Sequence, residues 1–571
     1  MIIASALVAG ALVLLFVLLL SRGAPAEKRT AERFVAAWAR GDFPAMQAEL
    51  TEDDRRAMPV RRFATAYRRA AATATATAYR HGEVGNPEAG VVSVPMAVTT
   101  RVFGTIRATL RLTFAGDGDK QHVKWLPNLV FPGLGVGERL GRRTSLPRRA
   151  TILARDDTPL AQGPDRTSPI EDVAASIVGE LGPPPPEHKD ELRSRGYPAD
   201  AVVGTSGLER VFEERLAGAP GGELRAGTRV LASTVPKPGR PVASSIDPDV
   251  QRAAVAAKGE RVGGVAVMRP RTGEILALAG IAFSGLQPPG STFKIVTLTG
   301  VLDAQVAGPS STYPVETKTT IEGVELENAN GEACGGTLRF SFAHSCNSVF
   351  APLGAKLGAA QLVKTAEAFG FNQDPGIPGA ATSTIPPASE IGDNLAVASS
   401  AIGQGRVQAT ALQMAWVAAT IAGHGKRPRL TLERGGTPQR TRVIADRITR
   451  FVGRFMEAVV RDGTGKAAQI PGVRVAGKTG TAELKSTSRP TCVPSPEPTA
   501  PECPPIPPND PTDTDAWFAA YAPANKPRVA VGVLLVQAGV GGDTAAPVAK
   551  QALLAGLQAT RERRRATRRG R

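Results

Sequence analysis

Ser291 and Lys294 stand three residues apart in Gln287-Pro288-Pro289-Gly290-Ser291-Thr292-Phe293-Lys294. A serine hydroxyl is a poor nucleophile until a neighbouring base takes its proton. A lysine withdrawn from water can lose its own proton and supply that base. If a helix opens at Gly290, positions i and i+3 share a face and the two side chains meet. The Pro-Pro-Gly turn suits an abrupt entry from loop to helix. Fifty-four residues after Ser291, Ser345-Cys346-Asn347 adds a second hydroxyl and an amide. The hydroxyl can relay a proton, and the amide offers both donor and acceptor to a peptide backbone. Further on, Gly477-Lys478-Thr479-Gly480-Thr481-Ala482-Glu483 follows an apolar strand at 473–477. Its ammonium and two hydroxyls make a slot for a carboxylate. Its glycine lets a substrate backbone approach the strand edge.

These residues need a scaffold, and from Ala243 onward the composition is that of a dense α/β domain. Gly263–Met268 and Glu274–Ala279 read as a strand pair around the turn 269–273. Helical runs fill about 345–370 and 408–424. Strands return at Ala516–Tyr521 and Val529–Val536, and a last helix spans about 543–558. Between the late strands, residues 484–514 hold ten prolines from Pro490 to Pro511, which marks a long rim loop.

Upstream, residues 28–40 read as an amphipathic helix with Ala31, Phe34, Val35 and Trp38 on one face, ended by Gly41-Asp42. A second helical stretch runs to about Ala70. Alternating segments at Thr73–Tyr79, Val91–Thr99, Val102–Phe114 and His122–Leu126 read as a curved antiparallel sheet. Together they predict a small α+β domain ending near Phe131-Pro132-Gly133-Leu134. Residues 145–235 show few long periodic elements beyond a short strand at Thr151–Ala154, four prolines at 183–186 and a helix from Gly207 to Phe212. This block reads as a docking or spacer domain, and Pro236–Pro241 as a linker.

The formal charge of +17 over 571 residues calls for an anionic partner. Aromatics are only 5% and no nucleic-acid motif appears, so anionic lipid or wall polymer fits better than nucleic acid. A mean hydropathy of −0.09 excludes a polytopic membrane protein. The uncharged run Ile2–Leu20 is long enough to cross a bilayer. We expect an uncleaved anchor; a signal peptide cleaved near Ala24-Pro25-Ala26 is the rival. The four cysteines form two local pairs, Cys334 with Cys346 and Cys492 with Cys503. An oxidising compartment permits two short disulfides, and four free thiols are the alternative. The last eleven residues carry seven arginines and one glutamate. They read as a solvated disordered end or as a contact for anionic lipid or polymer.

Ser291-Thr292-Phe293-Lys294, Ser345-Cys346-Asn347 and Lys478-Thr479-Gly480 resemble the three ordered motifs of penicillin-binding proteins and serine β-lactamases. Ile402-Gly403-Gln404-Gly405, the stretch 456–465 and Asp515-Ala516-Trp517-Phe518 are similar to the family as well. Gly204-Thr205-Ser206-Gly207-Leu208-Glu209 and Arg225-Ala226-Gly227 resemble the pedestal domain of the class B branch. Ala37-Trp38-Ala39-Arg40-Gly41-Asp42 and Lys124-Trp125-Leu126-Pro127 resemble the cone-shaped, nuclear-transport-factor-like domain of its methicillin-resistance and actinobacterial members. One departure is Arg148-Arg149-Ala150, where pedestals usually begin with Arg-Gly.

The resemblance implies a multidomain α+β and α/β chain. Residues 1–21 would be a membrane helix, 26–136 the cone domain and 145–235 the pedestal or dimerisation domain. Residues 243–558 would be a transpeptidase domain with a central antiparallel sheet flanked by helices, and 559–571 a basic tail. It implies Ser291 as nucleophile, Lys294 as base, Ser345 as proton relay and Asn347 as holder of the donor amide. Lys478, Thr479 and Thr481 would bind the terminal carboxylate and Gly480 the substrate backbone, with backbone N–H groups of Ser291 and Thr481 as oxyanion hole. The expected substrate is a stem peptide ending in D-Ala-D-Ala, cross-linked to a second stem, with β-lactams as mimics and no metal or cofactor. Carboxypeptidase side activity and a membrane glycosyltransferase partner are family expectations. The body would lie outside the cytoplasm on a single-pass anchor. Two other readings of the motifs stay open: a β-lactamase with water as acceptor, and a catalytically silent receptor or scaffold. His344 reads as a packing or rim residue rather than a catalytic one, and Cys346 as a small packing residue.

Overall fold

The computed structural model describes residues 24–484 and 513–569. The apolar run Ile2–Leu20 and the pair Cys492 and Cys503 lie outside these residues. Among the described residues no helix is long and apolar enough to cross a membrane. The chain divides into two compact units. Of the described residues, one holds those up to Ala150 with Leu181–Thr205 and Glu213–Arg240, and the other holds Thr151–Glu180, Ser206–Phe212 and those from Pro241. The pedestal segment is therefore shared between them.

In the first unit, α1 (Ala26–Arg40) buries Ala31, Phe34, Val35 and Trp38. It stops at Gly41, whose left-handed φ of 69° turns its N–H back to the carbonyls of Ala37 and Trp38. The single helical stretch expected next is three helices: α2 (Phe43–Ala48), α3 (Glu52–Ala57) and α4 (Val60–Ala74). The breaks have local causes. Asp42 caps the Ala45 N–H, Thr51 caps the Asp54 N–H, and Pro59 cannot extend a preceding helix.

Strands β1 (Ala76–His81), β2 (Val91–Thr100), β3 (Thr105–Ala115) and β4 (His122–Val123) form one antiparallel sheet in that order. The third strand starts later than Val102, because Thr100 closes the turn: its hydroxyl donates to Gly104 O and accepts from Phe103 N. The fourth is shorter than expected, since Pro127–Val130 is a 3₁₀ turn. Val92, Val94, Met96, Leu110 and Leu112 point inward onto the helices, while the alternate residues point outward.

Strands β5 (Leu140–Ser145), β6 (Gly221–Ala226) and β7 (Arg229–Thr234) make a second sheet in the order β7-β6-β5. Its Leu224 and Ala226 share an apolar cluster with Val98, Phe103 and Phe131. Where Arg-Gly was expected, Arg149 forms a 2.7 Å ion pair with Glu213, and Ala150 N donates to Leu216 O. The linker read at Pro236–Pro241 is strapped by Lys237 to Ala219 and by Arg240 N to Arg215 O.

The second unit is built on five antiparallel strands: β8 (Gly263–Met268), β9 (Ile275–Gly280), β10 (Ala476–Glu483), β11 (Thr514–Ala522) and β12 (Val529–Leu535). Their order is β9-β8-β12-β11-β10. Helix α5 (Pro248–Lys258) and the C-terminal helix pack on one face. Covered on both sides, β12 is apolar at nearly every position and shows no alternation. Between α5 and the C-terminal helix in sequence lie α6 (Lys294–Asp303), α7 (Leu338–Ala343), α8 (Asn347–Leu357), α9 (Ala411–Ala422) and α10 (Asp446–Arg461). Helix α9 packs along β12 and β8. Helix α10 buries Ile448, Val452, Phe455, Met456 and Val459 at helical spacing and packs against both β10 and α7. The last helix, α11 (Ala545–Arg569), passes the expected end near 558. The arginine-rich tail expected to be disordered continues it, because neither glycine nor proline interrupts the sequence after Gly556 until Gly570.

Candidate active site

Gly290–Phe293 is a 3₁₀ turn that leads into α6 at Lys294. In a 3₁₀ turn residues i and i+3 eclipse, so Ser291 and Lys294 stay on one side. Gly290 has φ of +50°, and its N–H donates to Gly403 O at 2.9 Å. A Cβ there would lie 2.6 Å from Thr481 O, so only glycine lets the turn lie against β10. Ile402-Gly403-Gln404-Gly405, noted in the sequence without a role, thus holds the turn that carries Ser291.

Lys294 is fully buried. It does not bond to Ser291, whose hydroxyl has no hydrogen-bond partner among the described residues. Its Nζ instead donates to Ser345 O at 2.7 Å and to Asn347 Oδ1 at 2.6 Å, with Ser345 Oγ at 3.3 Å. A neutral amine can donate to those two carbonyl oxygens and keep its lone pair for a hydroxyl. Phe350 offers its ring 5.7 Å from the same nitrogen.

Ser345 sits between α7 and α8 with φ of +62°. A non-glycine residue there costs about 1–2 kcal/mol. Three ties hold the segment. A disulfide joins Cys346 to Cys334, with Cα atoms 5.4 Å apart. Ser348 Oγ donates to Cys334 O, and Ser348 N to Asn328 Oδ1. Asn347 Nδ2 donates to Glu327 O at 2.8 Å, so both ends of this amide are engaged. Cys346 is therefore more than packing, while His344 stacks on Phe340 with centroids 4.0 Å apart.

The third motif lies inside a strand, not after one: β10 runs from Ala476 through Lys478, Thr479, Gly480 and Thr481 to Glu483. The turn 470–473, closed by Val473 N to Ile470 O, precedes it, and residues 474–475 join the two without strand pairing. Lys478 is fully buried, and its Nζ reaches Ser345 Oγ at 2.9 Å and Thr479 O at 3.0 Å. One hydroxyl therefore lies between two buried lysines. Thr481 Oγ1 accepts from Gly541 N.

A residue the sequence reading passed over joins the site. Thr464 Oγ1 is 2.6 Å from Thr479 Oγ1, and Thr464 N donates to Ala343 O. Within 456–465 Thr464 carries the one hydroxyl, and it stands between Gly463 and Gly465.

Burial holds the Lys294 ammonium well below the ordinary lysine range, and the nearby Lys478 charge lowers it further. Burial lowers Lys478 to about 7. Two lysines shifted in the same direction thus share one cluster around the Ser345 hydroxyl.

Residues 263–554 match the penicillin binding protein transpeptidase domain, more than half of the chain. The chain belongs to this family. Residues 155–229 match the penicillin-binding protein dimerisation domain and 26–138 the NTF2-like N-terminal transpeptidase domain. Together these make the chain a class B penicillin-binding protein of the methicillin-resistance-like, actinobacterial kind. It is 32% identical to the peptidoglycan D,D-transpeptidase PbpA of Mycolicibacterium smegmatis over 63% of this chain and 78% of that protein. It spans 57% of the length of PbpA of Mycobacterium tuberculosis, at 33% identity over 49% of its own. Among solved structures it resembles the D,D-transpeptidase domain of a peptidoglycan glycosyltransferase from Eggerthella lenta. That likeness has a TM-score of 0.56 at 27% identity, covering 72% of this chain and 98% of that one. The penicillin G acyl-enzyme complex of penicillin-binding protein A from M. tuberculosis gives 0.55 at 26% identity over 72% and 99%.

Proposed function

We propose that this penicillin-binding protein is a peptidoglycan D,D-transpeptidase working through an acyl-enzyme on Ser291, and that β-lactams acylate the same residue. The observation that carries this is the Ser345 hydroxyl between Lys294 and Lys478, with Ser291 one turn before Lys294. Neutral Lys294 takes the Ser291 proton as Oγ attacks the carbonyl of the penultimate D-alanine. The N–H groups of Ser291 and Thr481 receive the oxyanion. Ser345 passes a proton to the departing D-alanine nitrogen as the peptide bond breaks. Lys478, Thr479 and Thr481 hold the terminal carboxylate beside Gly480. Asn347 faces the donor amide when it exchanges its bond to Lys294 or Glu327. The amine of a second stem then attacks the ester, releases Ser291 and forms the cross-link. Water in place of the amine gives a carboxypeptidase side reaction.

The same reading places the body outside the cytoplasm, tethered by Ile2–Leu20 as a single-pass anchor, beside a membrane glycosyltransferase that supplies uncross-linked glycan. The Cys334–Cys346 bond fits such an oxidising location.

Intact mass after incubation with a penicillin tests the proposal, with Ser291→Ala alongside. A stable adduct on the wild type and none on the variant is expected. A well-folded protein that takes no adduct is a silent receptor, and rapid adduct loss with drug turnover makes it a hydrolase.

A further inference from the structure

We infer that the outer face of the β1–β3 sheet binds a linear polymer linked by phosphodiesters, a contact separate from the catalytic site. The register lines up Arg80 with Ala97 and Ala97 with Arg107, so two arginines flank one small residue in a single cross-strand row. Two strand spacings put their backbones about 10 Å apart. Arg111, opposite Ser93, lies about 13 Å further along β3.

All three arginines are exposed, and among the described residues none has an ion-pair or hydrogen-bond partner. Elsewhere in this unit some arginines pair with carboxylates, Arg29 with Asp119, Arg33 with Glu49 and Arg229 with Glu138, while Arg61, Arg62 and Arg69 on α4 have no such partner among the described residues. On this face the positions of β1, β2 and β3 themselves carry no Asp or Glu, and Glu88, bridged to Val91, lies at the sheet's end. The positions between the arginines are small or hydroxylic, such as Ser93, Ala97 and Thr109.

Strands that carry exposed guanidinium groups and no acid between them fit an anionic ligand, since the guanidinium fork takes two phosphate oxygens at once. The spacing decides what kind. One phosphate cannot reach all three sites, whereas successive groups of one chain can, and each added contact raises affinity through effective concentration. A bilayer surface fits less well. The face carries no Trp, Tyr, Phe or Leu to enter the interface. A low, hydroxyl-rich surface suits an extended hydrophilic chain.

The test is binding of fluorescently labelled poly(glycerol phosphate) to the full chain in detergent micelles, read by anisotropy across a salt series. Binding that weakens with salt is expected for the wild type. The triple variant R80Q/R107Q/R111Q should bind at least about tenfold more weakly and still be acylated by penicillin at the wild-type rate. The comparator R61Q/R62Q/R69Q, on the exposed side of α4, removes as much charge and should keep the polymer. Equal loss in both variants would reduce the effect to net charge and overturn the proposal. So would unchanged binding by the first variant. Absence of polymer binding, with capture instead by phosphatidylglycerol vesicles, would make the face a bilayer contact and equally sink it.

Discussion

Thr464 Oγ1 and Thr479 Oγ1 lie 2.6 Å apart, one on the loop after α10 and the other on β10. One hydroxyl must donate to the other. If Thr464 donates, the Thr479 proton is free to point at a substrate carboxylate. Thr464→Val should therefore raise KM for a D-Ala-D-Ala donor about fivefold, the worth of one hydrogen bond, with kcat little changed. Thr464→Ser should restore it. Steady-state kinetics on a donor ester analogue separates the two constants, and an equal fall in kcat would contradict the assignment.

Ser345 combines the hydroxyl proposed as proton relay with a backbone that favours glycine. Ser345→Gly and Ser345→Ala both remove the hydroxyl, so both should lose most of the acylation rate. They should differ in stability. The glycine variant should be the more stable by about 1 kcal/mol, because only alanine keeps the left-handed strain. Denaturant unfolding of the pair checks this.

The two lysines set the pH response. In the proposed mechanism acylation needs neutral Lys294, so kcat/KM should rise with pH through its depressed pKa. It should fall again as Lys478 loses its charge, near pH 7 in the free enzyme. In kcat the alkaline limb should move upward, since a bound carboxylate favours the ammonium. Stability follows the same groups with a definite sign. Both folded-state pKa values lie below those of unfolded lysines. The unfolded chain therefore binds more protons over that interval, and stability should increase as pH climbs from the folded towards the unfolded value. Lys478→Met should flatten that rise in a Tm series.

The Cys334–Cys346 bond closes a loop that ends beside Ser345. The double variant C334A/C346A should lose about 2–4 kcal/mol of stability. It should also be acylated more slowly, as Ser345 gains freedom to leave its strained conformation. Tm and the second-order acylation rate are the readouts. A variant that melts earlier and is acylated at full rate would confine the bond to stability.

Much of this was legible in the residues, for local reasons. The buried stripe Ala31, Phe34, Val35 and Trp38 repeats at the helical period, so sequence alone finds that helix. The strand pair Gly263–Met268 and Ile275–Gly280 is separated by a tight turn and is equally local. What could not be read is what crosses the chain. Lys294 bonding to Ser345 and Asn347 rather than Ser291 depends on how α6 meets α8. The role of Gly403 depends on a loop more than a hundred residues from the turn it holds. Lys478 looked like a residue after a strand because the apolar run stops at Gly477. Helix packing over the sheet's two faces lets the polar motif lie within the strand itself.

The order of strands has one further consequence. The domain opens with β8, whose two neighbours are β9, made next, and β12, made almost last. During synthesis the Ser291 turn and both lysines therefore emerge before the sheet that spaces them can close. The wait for such a distant pairing is the slow step expected of this topology. A polypeptide stopped before Val529 would contain every motif and lack the strand that joins β8 to β11, so the sheet under the site is completed only when β12 arrives.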